Sequence, residues 1–195
     1  MSVEYLVIEA ALDEGAVERL REEMRAAAGA DAGVTGVGSE ERVASGARRA
    51  TRLELPASAR DAVTALLERE RERIAERFGR QLDAVEEPQF LRYGPGDYFV
   101  AHQDGNTPLI HDSTRFRRVS AVLFLSEQSE DEAAPGSYGG GSLVLHAPYT
   151  ESDERVPLAP AAGTLVAFPA ETTHEVAPIT HGERLSVVAW YRGEE

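Results

Sequence analysis

The chain has 195 residues, enough for one well-packed hydrophobic core, and we predict a single domain over residues 1–195. Its 20 basic residues are all arginine and face 34 acidic residues, so the net charge of −14 disfavours nucleic-acid binding. The absence of cysteine and lysine excludes disulfides, thiolate metal sites, and Schiff-base or P-loop lysine chemistry.

No apolar run approaches the roughly eighteen residues that a membrane helix needs, so no membrane partner is expected. The N-terminal residues carry acidic rather than basic side chains, which is unlike a signal peptide. We therefore expect a cytoplasmic protein. The sequence leaves the oligomeric state open.

Residues 1–87 combine strand and helix patterns and are predicted to form an α/β segment with supporting helices. Tyr5–Ile8 is an apolar run typical of a strand. Asp13 is a suitable N-cap for a helix that ends at Gly29. Residues 29–50 are rich in Gly, Ala and Ser and have no periodicity, which predicts a loop.

A second helix is predicted to follow a strand at Thr51–Leu55. Ser58 and Asp61 have the spacing of a capping box, and Gly79 is placed to end the helix. Apolar residues at helical spacing should pack against the core: Val63, Leu66, Leu67, Ile74 and Phe78. The alternating acids and arginines of Glu68–Arg73 are typical of a solvent-exposed helix face.

Beyond residue 87 the pattern changes to short apolar runs separated by Gly, Pro and polar residues. Eight of these runs are predicted strands: Phe90–Tyr93, Tyr98–His102, Val119–Leu125, Ser142–His146, Arg155–Leu158, Thr164–Phe168, His174–Val176 and Arg184–Tyr191. Such a series favours a β-sandwich or jelly roll over a parallel sheet, with the helices packed outside. The predicted fold is therefore mainly β with flanking helices.

Two long loops are predicted within this part, at Gln103–Phe116 and Glu127–Gly141. The glycines of Tyr138–Ser142 predict a β-turn or a bulge. A phosphate-binding loop is disfavoured there, because no lysine and no predicted helix follow the glycines.

His102 and Asp104 are two residues apart at the end of a predicted strand. Alternate residues of a strand point to the same face, so both side chains can reach one metal ion. His174, at the start of another predicted strand, is the best candidate for a third ligand. Two imidazoles and one carboxylate form the facial triad of non-haem Fe(II) oxygenases, which leaves positions open for a cosubstrate and O₂. A surface strand pair and a loop histidine are the alternative interpretations.

Arg184 and Ser186 open the last predicted strand and should share one of its faces with Val188 and Trp190. A guanidinium beside a hydroxyl is suited to the distal carboxylate of 2-oxoglutarate, whose other end would bind the iron. Tyr93 is placed to donate a phenolic hydrogen bond to the same ligand. An ion pair for Arg184 and core packing for Tyr93 are the alternatives.

Three further histidines are alternative candidates for the site. His181 with Glu183 repeats the His-x-acid pattern and is interpreted as a turn, His111 lies in a loop that can reach a substrate, and His146 is interpreted as structural. Six arginines either line a substrate entrance or are scattered on the surface: Arg48, Arg49, Arg52, Arg115, Arg117 and Arg118.

Together these motifs resemble the Fe(II)/2-oxoglutarate dioxygenase superfamily, and within it the prolyl 4-hydroxylase-like branch. The motifs that carry the resemblance are His102-x-Asp104, His174 and Arg184-x-Ser186, framed by Tyr93-Gly-Pro-Gly-Asp-Tyr98 and Gly140-Gly-Ser-Leu143. The resemblance covers about residues 88–192. It implies a double-stranded β-helix (jelly roll) catalytic core there, supported by the helices of residues 1–87.

The resemblance also implies the reaction. Iron held by the two histidines and the aspartate, with 2-oxoglutarate and O₂ as cosubstrates and ascorbate as an accompanying reductant, would hydroxylate an unactivated C–H bond and release succinate and CO₂. A prolyl or other residue of a protein or peptide is the favoured substrate, and a free amino acid or small metabolite is the alternative. A cupin-like metal enzyme that does not use 2-oxoglutarate, and a non-catalytic sensor on the same scaffold, are further alternatives.

Two residues are informative in comparison with that superfamily. Phe124 stands where several prolyl-hydroxylase relatives carry a tyrosine, so a hydroxyl contact to 2-oxoglutarate is expected to be missing. Halogenating members lack the carboxylate ligand, whereas Asp104 is present, and hydroxylation is therefore the expected outcome.

Overall fold

The computed structural model describes residues 3–35, 41–42, 46–105, 113–131, 136–148 and 153–194. The N-terminal part contains β1 (Leu6–Ile8), α1 (Glu14–Ala26), β2 (Gly29–Asp31), β3 (Val34–Thr35), β4 (Glu41–Arg42), β5 (Arg48–Arg49), β6 (Thr51–Leu53), α2 (Ala57–Phe78) and β7 (Ala84–Val85). The C-terminal part contains β8 (Gln89–Tyr93), β9 (Tyr98–His102), a 3-10 turn (Ser113–Phe116), β10 (Arg117–Phe124), β11 (Glu127–Gln128), β12 (Ser137–Gly140), β13 (Leu143–His146), β14 (Arg155–Leu158), β15 (Leu165–Pro169), β16 (His174–Val176), β17 (Ile179–Gly182) and β18 (Arg184–Arg192). The protein is therefore mainly β, as predicted.

Two antiparallel sheets make up the body of the protein. The larger sheet has the order β1-β15-β10-β18-β8-β6-β2, with β7 also paired to β18. The smaller sheet has the order β14-β13-β16-β9-β5. Because every pairing in these two sheets is antiparallel, the prediction that the strands do not form a parallel sheet is confirmed.

Side-chain alternation along β10 separates two hydrophobic cores. Val119 and Leu123 belong to the cluster that contains the helices. Val122 and Phe124, on the opposite face of the strand, pack with Leu145 of the smaller sheet. The larger sheet thus carries the helices on one face and the smaller sheet on the other, which confirms that the helices pack outside the β core.

Helix α1 begins as predicted and ends earlier than predicted. The Asp13 carboxylate accepts a hydrogen bond from the backbone N–H of Ala16 at 2.9 Å, which is an N-cap contact. The helix stops at Ala26, because Ala27 has an extended backbone and Gly29 already belongs to β2. The prediction that Gly29 ends the helix is therefore wrong.

Helix α2 begins before its predicted cap. Pro56 is the N-cap residue and makes no side-chain cap hydrogen bond, so the capping box at Ser58 and Asp61 is wrong. Gly79 ends the helix in the left-handed conformation at φ 60°, as predicted, where a side chain would be strained. Four of the predicted core residues are buried and Phe78 is partly buried: Val63, Leu66, Leu67 and Ile74. No helix in the described residues combines the length and apolarity that a membrane span requires.

All eight strands predicted beyond residue 87 are present, with ends that differ by no more than two residues. The prediction of a loop over residues 29–50 is wrong where the chain is described, because β2 pairs with β6 and β5 pairs with β9. These strands could not be predicted from composition, since a segment rich in Gly and Ala shows no alternation of polar and apolar residues. The strands form because their backbones pair with distant segments.

The Gly-rich segment forms a strand with a bulge. Gly139 of β12 pairs with His181 of β17, and the register shifts between Gly139 and Gly140. The predicted bulge is confirmed, whereas the interpretation of His181 as part of a turn is wrong. An added Cβ at position 139 would lie 2.0 Å from the His181 ring, so a larger residue there would force this ring to move.

Candidate metal centre and cosubstrate cleft

Two cross-strand pairs, one in each sheet, bring the predicted site residues together. His102 of β9 lies opposite His174 of β16 in the smaller sheet. Tyr93 of β8 lies opposite Arg184 of β18 in the larger sheet. Both pairs open into one cleft, which is lined by Arg48, Leu91, Tyr93, Phe99, His102, Asp104, Val122, Leu143, His174, Val176, Arg184, Val188 and Trp190.

Asp104 lies just beyond β9, where it joins the two sheets. Its backbone N–H donates to the carbonyl of Ala170 at 3.0 Å. Its Oδ2 accepts a hydrogen bond from the Ser120 hydroxyl of the larger sheet at 2.7 Å. Oδ1 is 3.5 Å from His102 Nε2 and Oδ2 is 3.4 Å from His174 Nε2. One ligand atom from each of the three side chains lies within 4.8 Å of the others.

Both histidines present the nitrogen that a metal ion needs. His102 Nδ1 donates to the carbonyl of Val100 at 2.8 Å, and His174 Nδ1 donates to the carbonyl of Thr172 at 2.9 Å. A carbonyl oxygen only accepts, so the Nδ1 atoms carry the hydrogens. In the neutral ring Nε2 then has a free lone pair, and it is this atom that faces Asp104.

The charge states suit a cation. Burial lowers the pKa of His174 to about 4 against the attraction of Asp104, so this imidazole is neutral at pH 7. Burial alone would raise the pKa of the Asp104 carboxyl, but the nearby His174 and His102 and the hydrogen bond from Ser120 hold it well below its usual range. An ionised carboxylate therefore faces the Nε2 atom of a neutral His174.

Such an arrangement is unfavourable without a cation between its members, because the acceptor atoms face one another without a donor. Two imidazole nitrogens and one carboxylate fit Fe(II) in a three-ligand site that leaves further metal positions open. The donor set is also compatible with other first-row divalent ions.

Arg184 lies in the same cleft. It is a buried cation and has no acidic partner among the described residues. Its side chain is 2% exposed, and its Nε has no hydrogen-bond partner. Nη1 donates to the Ser186 hydroxyl at 3.0 Å. Burial of an unpaired guanidinium is costly, so the position is suited to an anion that enters the cleft. The alternative of an ion pair for Arg184 finds no support in the part of the chain that the structure describes.

Two aromatic rings flank this arginine. Its guanidinium carbon lies 5.3 Å from the centroid of Tyr93 and 5.0 Å from that of Phe124. Phe124 lies opposite Ser186 across β10 and β18 and supplies a ring face without a hydroxyl. Tyr93 lines the cleft, whereas Ser186 and Phe124 lie beside the arginine and outside the lining.

The remaining candidates are dispersed. His146 is buried at the end of β13, 3.5 Å from Glu175. His181 lies in β17, and His111 lies outside the described residues. Of the six arginines considered as an entrance, Arg48 lines the cleft, whereas Arg117 forms an ion pair with Glu86 at 2.7 Å.

Phe99 lines the cleft beside the candidate metal centre, and the sequence patterns did not identify it. Its ring stacks on that of His102, with centroids 3.6 Å apart. The two residues are three apart and would occupy opposite faces of a regular strand. The register between β9 and β16 shifts between the pairs His174–His102 and Val176–Phe99, so a bulge brings both rings to one face. A bulge of this kind has no signature in the sequence.

Comparison with known proteins supplies the family. The family model for the 2OG-Fe(II) oxygenase superfamily matches residues 88–192. A PKHD-type hydroxylase of Janthinobacterium sp. (strain Marseille) is 37% identical over 105 residues, which are 53% of this chain and 42% of the relative. The chain therefore spans less than half the length of the curated relatives that it matches.

Two solved structures share the fold over nearly the whole chain. A Pseudomonas putida prolyl-4-hydroxylase is 24% identical with a TM-score of 0.72, covering 100% of this chain and 95% of that one. A Trichoplax adhaerens prolyl hydroxylase in complex with a hypoxia inducible factor peptide fragment is 15% identical with a TM-score of 0.74, covering 96% and 83%. With more than half of its residues matched by the family model, the chain belongs to the 2OG-Fe(II) oxygenase superfamily.

Proposed function

We propose that this chain is an Fe(II)- and 2-oxoglutarate-dependent dioxygenase that hydroxylates an unactivated C–H bond, with release of succinate and CO₂. One observation carries the proposal. The cluster of His102, Asp104 and His174 opens into the same cleft as Arg184, which has no acidic partner among the described residues. A bidentate metal ligand with a distal carboxylate can therefore satisfy both.

Each of these residues has a distinct role in the proposal. The two histidine Nε2 atoms and the Asp104 carboxylate hold Fe(II), which with 2-oxoglutarate and O₂ supplies the oxidising chemistry when bound. Arg184 binds the distal carboxylate of 2-oxoglutarate. Ser186 fixes the guanidinium, and Tyr93 borders the same ligand. Apolar residues of the cleft wall exclude water from the bound groups.

The scaffold in this proposal is a double-stranded β-helix (jelly roll) within a single domain of residues 1–195. Residues 88–192 form the catalytic core, and the helices of residues 1–87 support the larger sheet. Two facing antiparallel sheets and the similarity in fold to the two prolyl hydroxylases support this assignment.

A prolyl or other residue of a protein or peptide is the proposed substrate. Similarity to two prolyl hydroxylase structures supports this proposal. One of these two enzymes is bound to a peptide fragment. The named curated relative is a PKHD-type hydroxylase.

The reaction is tested by measuring succinate formation and O₂ uptake by the purified protein with Fe(II) and 2-oxoglutarate, with and without ascorbate. We expect succinate in the wild type, and its loss in His102→Ala and Asp104→Ala variants that retain the fold. Equal turnover by these variants and the wild type would remove the basis of the assignment.

The substrate is tested by mass spectrometry for products that gain one oxygen atom. Lysate proteins and a metabolite panel are incubated in parallel with the wild type and with Asp104→Ala. Oxygen addition confined to proteins supports the proposal, and addition confined to metabolites favours the small-molecule alternative.

A further inference from the structure

A second arginine in the cleft has no role in the proposed chemistry. Arg48 of β5 lines the cleft, is 8% exposed and stacks over the Phe99 ring at 4.7 Å. Phe99 in turn stacks on His102. A single aromatic ring therefore separates the Arg48 guanidinium from the candidate metal centre.

The hydrogen bonds of Arg48 are incomplete. Nη1 donates to the carbonyl of Gly33 at 2.9 Å, which holds the guanidinium in place. Nε is buried without a partner. Among the described residues no carboxylate lies within ion-pair distance of Arg48. A guanidinium has five N–H donors, and burying its charge without an anion is costly. Its Nε edge is one that can bind a carboxylate through two parallel hydrogen bonds.

The balance of charge in the cleft also indicates that Arg48 binds an anion. The charged lining residues are Arg48, Arg184 and Asp104. In the proposed function, Asp104 and the two carboxylates of 2-oxoglutarate balance Fe(II) and Arg184. Arg48 is then the one positive charge in the described lining that remains uncompensated, in a protein whose net charge is −14.

We propose that Arg48 is a substrate-specificity residue that binds a carboxylate close to the C–H bond that reacts, and this inference rests on the proposed function. The substrate is thus an acidic compound or peptide segment. Its carboxylate is either the α-carboxylate of an amino acid or chain end, or the side chain of an acidic residue.

The test is a binding measurement that requires no turnover. Trp190 is the single tryptophan of the chain and lines the cleft, so its fluorescence reports on occupancy. The full chain is loaded with Zn(II) and saturating 2-oxoglutarate, which occupies Arg184. It is then titrated with two matched pairs of probes: N-acetylproline against N-acetylprolinamide, and N-acetyl-Pro-Asp-amide against N-acetyl-Pro-Asn-amide.

We expect the acid of at least one pair to bind the wild type tenfold or more tightly than its amide. A preference within the first pair identifies an α-carboxylate, and a preference within the second identifies an acidic side chain. Arg48→Gln should reduce the preference to less than twofold, and Arg48→Lys should keep part of it because the charge remains. Arg49→Gln is the matched control. Arg49 is the next residue of β5, its side chain is 54% exposed, and it lies 3.8 Å from Asp97.

The inference is overturned if the wild type binds neither acid more tightly than its amide. It is also overturned if Arg48→Gln keeps the wild-type preference for the acid and so behaves like the Arg49→Gln control. Circular dichroism and 2-oxoglutarate affinity check that the variants are folded. Succinate formation is assayed separately. A protein that binds the acids through Arg48 but forms no succinate would contradict the proposed function and leave the carboxylate site standing.

Discussion

At the level of single residues, neighbouring groups orient the candidate metal-binding and anion-binding side chains of the cleft. The two candidate metal histidines donate from Nδ1 to backbone carbonyls two residues earlier in the chain. Ser120 donates to Asp104, and the Ser186 hydroxyl accepts from Arg184. Such contacts reduce the number of conformations that must be lost when a metal ion or an anion binds.

Ser120→Ala tests this for the metal centre. Loss of the 2.7 Å hydrogen bond should leave Asp104 less well oriented and lower metal affinity about 10- to 100-fold, with little change in fold. Competition titrations with a chromogenic chelator measure the affinity. Ser126→Ala is the control, because the Ser126 hydroxyl accepts from the backbone N–H of Leu185 and belongs to neither the cluster nor the cleft lining. Equal metal affinity in the wild type and Ser120→Ala would contradict the positioning role.

Arg184→Gln should raise the 2-oxoglutarate concentration needed for half-maximal succinate formation. Loss of a charged hydrogen bond costs about 1.5–3 kcal/mol, which is roughly a 10- to 150-fold change in affinity. The cosubstrate-free variant should be as stable as the wild type or more so, because the substitution removes a buried charge that has no acidic partner in the described part of the chain. Arg192→Gln, at the far end of the same strand and 40% exposed, is the control. An unchanged 2-oxoglutarate requirement would remove Arg184 from the proposed site.

At the scale of elements, β18 connects the site to the supporting helices. Arg184 and Trp190 face the cleft. Tyr191, the residue after Trp190, points to the opposite face of the strand and packs in the hydrophobic cluster that contains the helices. The Tyr191 hydroxyl donates to the carbonyl of Leu67 in α2 at 2.8 Å. Burial raises the pKa of the Tyr191 phenol, so it stays a donor well into the alkaline range. The strand therefore carries the proposed 2-oxoglutarate-binding residue Arg184 on one face and is anchored by α2 on the other.

Ile74→Ala in α2 tests the contribution of this support. Ile74 is fully buried against the larger sheet, so the truncation should leave a cavity and cost about 2–5 kcal/mol. Urea unfolding measures the loss of stability. Metal affinity measured below the unfolding transition should be unchanged, since α2 contributes no residue to the candidate metal centre. Glu76→Ala, at an exposed position of the same helix, should alter stability by less than about 0.5 kcal/mol. A similar loss in both variants would show that α2 does not pack as described.

At the scale of the whole molecule, the candidate metal centre links stability to pH. The pKa of His174 is about 4 in the folded protein, against an ordinary value of 6.5. Between these values the unfolded chain binds a proton that the folded protein does not bind, so stability rises with pH in this range. Asp104, His102 and His146 are the titratable groups that act on His174.

The metal-free protein should therefore keep its full stability above about pH 6.5 and lose up to about 3 kcal/mol as the pH falls toward 4. Thermal unfolding in the presence of a chelator, followed from pH 7.5 to pH 4.5, measures this dependence. His174→Asn lacks the titrating group and should show a shallower decline. The same slope in the variant and the wild type would assign the pH dependence to other groups.

Local sequence patterns predicted many strand and helix faces of this protein, because the geometry of a strand or helix fixes which nearby residues share a face. The two-residue period of a strand placed His102 with Asp104, and Arg184 with Val188 and Trp190. Apolar spacing predicted the buried face of α2. In contrast, the start of α2 and the strands hidden between residues 29 and 50 were mispredicted, since pairing and packing with distant segments override weak local preferences.

The amino-acid sequence was enough to predict the chemical groups of the candidate site and the general class of the fold. It did so through short-range periodicity and through the coincidence of two imidazoles, one carboxylate and one arginine. Three features became visible in the folded protein alone: His174 lies opposite His102, a bulge turns Phe99 onto the same face, and Arg48 lines the cleft. These relations depend on the register between strands far apart in the chain, which no local pattern specifies.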